Sequence, residues 1–172
     1  KKAAIEQLAR KNPWIDMNLV GIYGHSGGGF MSTAAMLVYP DFFKVGVSQA
    51  GNHDNRVYED DWAEKWHGLL GKNPDGTTNS DSQANQNCAK NPKGKFLIAH
   101  GTLDSNGRPN STLLVVDALI KANKDFELIM FPNRGHGFGN EPYMVRRRWD
   151  FFVKHLLGAE PPAGYELKGP AQ

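Results

Sequence analysis

Three residue types in a fixed chain order could together carry out acyl transfer: a serine, then an acid, then a histidine. The serine is Ser26, in the stretch "GIYGHSGGGF" at residues 21–30, where Gly24-x-Ser26-x-Gly28 follows an apolar run and precedes a helix-like pattern. Strand, Gly-x-Ser-x-Gly, helix is the order a nucleophile elbow needs. A serine at so sharp a turn sits in strained backbone, and neighbours with a Cβ would collide with the strand or the helix. At the helix N-terminus the dipole and free N–H groups favour developing negative charge, and the Gly27 N–H is the expected donor to an oxyanion. The competing reading is a flexible glycine turn between two elements. A phosphate loop is excluded because Phe30-Met31 stands where Lys and then Ser or Thr are required, and the spacing lacks the Gly-x-Gly-x-x-Gly of a dinucleotide site.

A hydrolase serine needs an acid and a base, and in this arrangement they follow it in the order Ser, Asp or Glu, His. The stretch "HGTLDSN" supplies Asp104 after one apolar run, and "PNRGHGF" supplies His136 after the next. Both fall in loops at the C-terminal ends of expected parallel strands, where open α/β sheets build their sites. Asp104 could instead be a cap or an Asx-turn residue, and His136 an exposed loop histidine. His25 and His100 compete as base, but His25 adjoins the serine, so its side chain should point away, and His100 precedes the acid. His25, His100 and His136 lack the close pairing of a metal site, so no metal or other cofactor is expected.

The elements that must position these residues follow from apolar patterning. Helices are expected over 1–11, 30–39, 111–122 and 143–157, and strands over 19–23, 45–48, 96–99 and 126–131. In the last helix Val145, Trp149, Phe152, Val153 and Leu156 are spaced for one apolar face. Strands alternating with helices imply right-handed βαβ units and a parallel sheet. The strands lack polar alternation, as expected when helices cover both faces. Residues 71–94 read as a polar, turn-rich loop or insertion with a short helix near 82–88. The fold class is therefore α/β, with 1–158 as the organised part and 159–172 as a loosely held tail.

Composition sets the bounds. The 172 residues, 40% hydrophobic and 22% charged, suit one globular domain, and a net charge of +2 gives no reason to expect a nucleic-acid partner. The triplet Arg146-Arg147-Arg148 lies in a helical pattern and reads as a solvated face. Cys88 is the single cysteine, so the fold rests on its core and not on a disulfide. No apolar run is long enough to cross a membrane. The opening "KKAAIEQLAR" is already helical, and with four expected strands the chain reads as a cut from a larger protein.

Taken together, "GIYGHSGGGF", "HGTLDSN" and "RGHGF" resemble the catalytic domain of the prolyl oligopeptidase family, in its dipeptidyl peptidase IV branch. The resemblance runs from about residue 4 to 157 and includes "VSQAGNHDNRVYEDDWAEKWHGLL". It implies the C-terminal portion of an α/β-hydrolase fold, a β-propeller upstream, and a peptide substrate cleaved after proline or alanine at its second position. It also implies Ser26 as nucleophile, Asp104 as acid, His136 as base and Gly27 as one oxyanion donor. Asn106 matches an asparagine that binds a substrate carbonyl, and Tyr58 and Trp62 fall where an aromatic proline pocket is built. Those two could equally be packing aromatics in a loop or helix. Some positions depart from the family: Gly27 stands where an aromatic is usual, Gly107 replaces a valine, and 49–55 is longer than in human-type enzymes. The second oxyanion donor and the glutamates that hold the substrate amino group would precede Lys1. The resemblance further favours a periplasmic or secreted location and is compatible with a homodimer. An acyl-peptide hydrolase, a carboxylesterase and a catalytically silent binding module remain alternatives.

Overall fold

The computed structural model describes residues 1–168. Four short strands, β1 (Gly21–His25), β2 (Val45–Gln49), β3 (Lys95–Gly101) and β4 (Glu127–Phe131), form one sheet in the order β1-β2-β3-β4. Every pairing is parallel. Each strand must therefore be followed by a crossover, and helices supply most of them. Helix α1 (Lys2–Lys11) precedes β1, α2 (Gly27–Val38) joins β1 to β2, and α3 (Asp60–His67) lies in the long connection to β3. Helix α4 (Pro109–Lys121) leads to β4, and α5 (Pro142–His155) follows it.

The side-chain alternation of β3 divides the core. Phe96 and Ile98 point to one face and pack with Met36 and Leu37 of α2 and Val115 and Leu119 of α4. Leu97 and Ala99 point to the other and pack with Val45, Val47, and Met144 and Phe151 of α5. Burial on both faces explains why the strands show no polar alternation. Turn chemistry sets the entry to β1: the Asp16 carboxylate accepts from Asn18 N–H and the Leu19 N–H bonds Asp16 O, which delays the strand to Gly21.

Three expectations are corrected. Helix α2 begins at Gly27, not at 30, because the chain turns helical directly after Ser26 and takes the glycines into its first turn. In α5 the buried positions are Met144 and Phe151, with Phe152 and Leu156 partly covered, whereas Trp149 is 51% exposed. The core-facing stripe runs 144, 148, 151, and because Arg148 sits in it the apolar spacing alone points to a rotated face. The arginine triplet is not a solvated face either. Arg146 bonds Asp150, Arg147 bonds Glu127, and Arg148 bonds the Gln49 side chain and lies over the Tyr23 ring.

The expected helix near 82–88 takes the form of two 3-10 turns, Asp81–Gln83 and Asn85–Cys88. Of the tail, 169–172 lies outside the described residues, and the Tyr165 hydroxyl donates to Asp150 Oδ1. No helix among the described residues is long and apolar enough to cross a membrane.

Candidate active site

Ser26 occupies the joint between β1 and α2 with φ 57° and ψ −123°, a left-handed conformation that costs an ordinary residue about 1–3 kcal/mol. Its N–H is held by Gln49 O at 2.9 Å, so the end of β2 fixes the turn. The flanking glycines are needed to different degrees. A Cβ at Gly24 would lie 2.2 Å from Gly28 O, and one at Gly29 would lie 2.5 Å from Gln49 O. A Cβ at Gly28 would meet nothing, and one at Gly27 would make ordinary contact with the Trp62 ring at 3.5 Å. The collision expected for the glycines as a group therefore holds at Gly24 and Gly29. The Gly27 N–H belongs to the first turn of α2, whose amides have no acceptor within the helix.

Asp104 and His136 come together. The buried Asp104 carboxylate accepts from His136 Nδ1 through Oδ2 at 2.7 Å. Its other oxygen, Oδ1, accepts from the N–H groups of Asn106 at 3.0 Å and Gly107 at 2.9 Å. The Asx turn and the partner of a histidine were rival readings of Asp104; the two oxygens divide them. His136 begins a 3-10 turn (His136–Asn140) just beyond β4 and keeps its ring half-buried. Among the described residues its one side-chain hydrogen bond is at Nδ1, which leaves Nε2 as the nitrogen not engaged with Asp104. The Ser26 hydroxyl makes no hydrogen bond to His136 among the described residues.

What lies beside His136 is the Ser26 turn itself. The ring of His25 meets the His136 ring edge-on, with centroids 4.9 Å apart, and packs on Phe138. Burial, reinforced by the neighbouring His136, pushes the His25 pKa down, so it stands there as a neutral ring. Gln49 binds the same parts from below: its side chain donates to Gly139 O at 3.3 Å and accepts from Arg148 at 3.0 Å.

The excursion after β2 brings the aromatic pair to the same edge. The Tyr58 hydroxyl donates to Asn106 Oδ1 at 2.9 Å, and the Tyr58 and Trp62 rings meet edge-on at 5.4 Å. Trp62 lies against Gly27, so the two aromatics, Asn106 and Ser26 share one neighbourhood. Val57, Tyr58, Glu59, Asn106 and Arg108 line a recess of about 310 Å³ there. A larger recess of about 510 Å³, between α5 and residues 164–167, touches none of them. Burial raises the Tyr58 pKa, with Glu59 and Asp104 adding to it, so the phenol remains a donor.

Two polar clusters hold this excursion, and sequence reasoning missed both. Asp54 takes the Arg56 guanidinium at 2.6 Å and also binds Gln86, while Arg56 reaches Asp81. Burial would raise the Asp54 pKa, but these bonds hold it below the usual carboxylate value. Beneath them Asn85 donates to Phe30 O and to Nδ1 of the buried His53. The available signal was the unbroken polar run Asn52-His53-Asp54-Asn55-Arg56 directly after the apolar strand β2. No group of three or more His, Cys, Asp or Glu among the described residues could hold a metal ion.

A parallel sheet carrying a serine on a strand-to-helix turn, with an acid and a histidine beyond later strands, defines a protein of the α/β-hydrolase type. The chain matches the prolyl oligopeptidase family over residues 2–159 and belongs to it. Its sequence is 29% identical over 154 residues to venom dipeptidyl peptidase 4 of Apis mellifera, covering 88% of this chain and 20% of that protein. It is 26% identical over 153 residues to human dipeptidyl peptidase 8, covering 89% and 16%. Among solved structures, a Bacteroides ovatus protein assigned as a dipeptidyl aminopeptidase IV superposes with a TM-score of 0.79 at 30% identity, covering 90% of this chain and 22% of that one. An acylaminoacyl peptidase bound to a chloromethyl ketone superposes with a TM-score of 0.75 at 26% identity, covering 94% and 27%. The chain thus spans about a fifth of the length of its curated relatives.

Proposed function

We propose that residues 1–158 are the C-terminal part of the hydrolase domain of a serine exopeptidase that removes N-terminal dipeptides ending in proline or alanine. In this reading Ser26 Oγ attacks the peptide carbonyl while His136 Nε2 takes its proton. Asp104 keeps the imidazole in the Nδ1–H tautomer and stabilises its positive charge. The oxyanion accepts from Gly27 N–H. The imidazolium then gives its proton to the leaving amine, and an acyl-enzyme remains on Ser26. Water, deprotonated by His136, attacks that ester; the bond to Ser26 Oγ breaks, the dipeptide leaves as its carboxylate, and the imidazolium returns the proton to the serine oxygen. Asn106 would bind a substrate carbonyl, and Tyr58 and Trp62 would flank the proline ring.

The observation that carries this reading is the 2.7 Å bond between Asp104 and His136, made beside a serine held at φ 57°. The likeness to relatives called dipeptidyl peptidases supports release of a dipeptide as the reaction. Their greater length leaves room for a β-propeller, a second oxyanion donor and an amino-end clamp upstream, so the 172 residues alone should turn over weakly or not at all. In the intact protein, Ser26→Ala should lower Gly-Pro-p-nitroanilide hydrolysis by at least about 10³-fold. Undiminished hydrolysis would refute the assignment.

A second reading, an acyl-peptide hydrolase with the same triad, is favoured by the likeness to an acylaminoacyl peptidase. Faster cleavage of N-acetylated than of free N-terminal substrates would select it.

A further inference from the structure

His100, at the end of β3, is fully buried, and the proposed chemistry leaves it unused. Both ring nitrogens are nonetheless bonded. Nε2 lies 2.6 Å from Gly107 O, and Nδ1 lies 2.7 Å from Thr112 Oγ1. A carbonyl oxygen can only accept, so Nε2 carries a hydrogen. Burial lowers the pKa of the ring, which leaves Nδ1 unprotonated to accept the Thr112 hydroxyl. The Nε2–H also faces Asp104 Oδ2 at 3.3 Å, the oxygen that His136 Nδ1 approaches at 2.7 Å.

A second path leads to the same place. Gly107, whose carbonyl His100 holds, donates its own N–H to Asp104 Oδ1 at 2.9 Å. Its backbone also lies against the His136 ring, since a Cβ there would come within 3.6 Å of Cε1. His100 therefore touches the supports of His136 at two points, the carboxylate and the 104–107 turn.

We propose that His100 is a positioning residue: as the neutral Nε2–H tautomer it locks the Asp104 carboxylate and the Asp104–Gly107 turn so that His136 is presented to Ser26 at one fixed angle. A residue that merely filled the space would be apolar there. Burying an imidazole is favourable only with its nitrogens satisfied, and here Thr112 and Gly107 satisfy both. The inference rests on Ser26, Asp104 and His136 acting together, as proposed above.

The test uses the intact protein and a dipeptidyl-p-nitroanilide substrate. His100→Leu removes both bonds, whereas His100→Gln keeps an amide N–H near the place of Nε2. A misplaced base is costly, so His100→Leu should lower kcat by about 10²-fold with KM changed by less than about threefold. His100→Gln should recover to within about fivefold of the parent, because it restores the donor to Gly107 and Asp104. An unchanged kcat in His100→Leu would overturn the proposal, as would a Gln variant that falls as far as Leu, since the second result would mean that shape alone matters. Should His100→Leu fail to fold, Thr112→Val decides, because it frees the ring to turn. A kcat reduced about tenfold at constant KM supports the lock, and an unaltered kcat refutes it. Ser26→Ala runs alongside. If it stays active, the triad reading fails and this inference with it. If Ser26→Ala is silent while His100→Leu is fully active, the inference alone fails.

Discussion

Asp104 serves two masters with two oxygens: Oδ2 takes His136 Nδ1 at 2.7 Å, and Oδ1 takes the backbone N–H of Asn106 and Gly107. The carboxylate that faces the imidazole is thus held by the loop that carries it. Asp104→Asn separates the two jobs. The amide oxygen can keep the Asx turn, while the NH₂ group meets the N–H of His136, which must take its other tautomer, and also faces the Nε2–H of His100. The variant should fold, retain KM within a few-fold and lose about 10⁴-fold in kcat. Steady-state kinetics of the intact protein checks this, and a variant with a tenth of the parent kcat would contradict it.

The glycines around Ser26 make opposite predictions at neighbouring positions. Gly24→Ala places a Cβ 2.2 Å from Gly28 O, a backbone contact that cannot yield cheaply. It should cost more than about 3 kcal/mol, as overpacking against rigid atoms does, and give insoluble protein. Gly28→Ala has open space and lies within α2, so it should be neutral or stabilise by up to about 1 kcal/mol. Thermal unfolding of the two variants separates them.

These contrasts show what the sequence could and could not disclose. The order Ser26, Asp104, His136 was readable because each follows an apolar run, and parallel strands deliver their C-terminal ends to one edge. The likeness in aromatics and Asn106 was readable only through family resemblance, since the Tyr58–Asn106 bond joins residues 48 apart. The supports were hidden for a further reason. Gln49 binds Gly139 and Arg148, at separations of 90 and 99 residues, and neither lies in a motif. His100 was set aside by its chain order, yet its i,i+4 spacing to Asp104 at a strand end was a usable hint. Tertiary polar contacts of this kind carry no periodicity, and Arg148 interrupts the apolar period in the core-facing stripe of α5.

Arg56 supplies a third prediction. Its guanidinium ties Asp54, at the exit from β2, to Asp81, and between these lie Tyr58 and Trp62. Asp54 is nearly fully covered, but the arginine side chain is 35% exposed, so solvent screening limits the pair. Arg56→Ala should destabilise by about 1 kcal/mol. More tellingly, it should raise KM for proline substrates several-fold while kcat changes less, because the recess moves and the Asp104–His136 pair does not. Equal losses in kcat and KM would argue that the excursion does not read the substrate.

His53 makes a prediction about acid. Complete burial lowers its pKa from 6.5 to about 3, with a smaller push from His100. In the folded protein it therefore stays neutral between those values, while in the unfolded chain it takes up a proton below pH 6.5. The unfolded state binds more protons in that window, so stability falls as pH is lowered through it and levels off once the folded state also protonates. The slope from this one group approaches about 1.4 kcal/mol per pH unit. His25 and His100, whose pKa values burial also lowers, add to the loss with the same sign. Carboxylates held low, such as Asp54, add to the loss with the same sign, but only at the acid end of this range and below it, as the pH falls through their unfolded value of 3.8. His53→Gln retains an acceptor for Asn85 and removes the ionisation, so urea unfolding between pH 6.5 and 4.5 should give a shallower acid loss than the parent, reduced but not abolished. Parallel curves for the two proteins would mean that His53 is reached by water in the native state, and that its burial beneath Gly51 and Asn85 does not hold in solution.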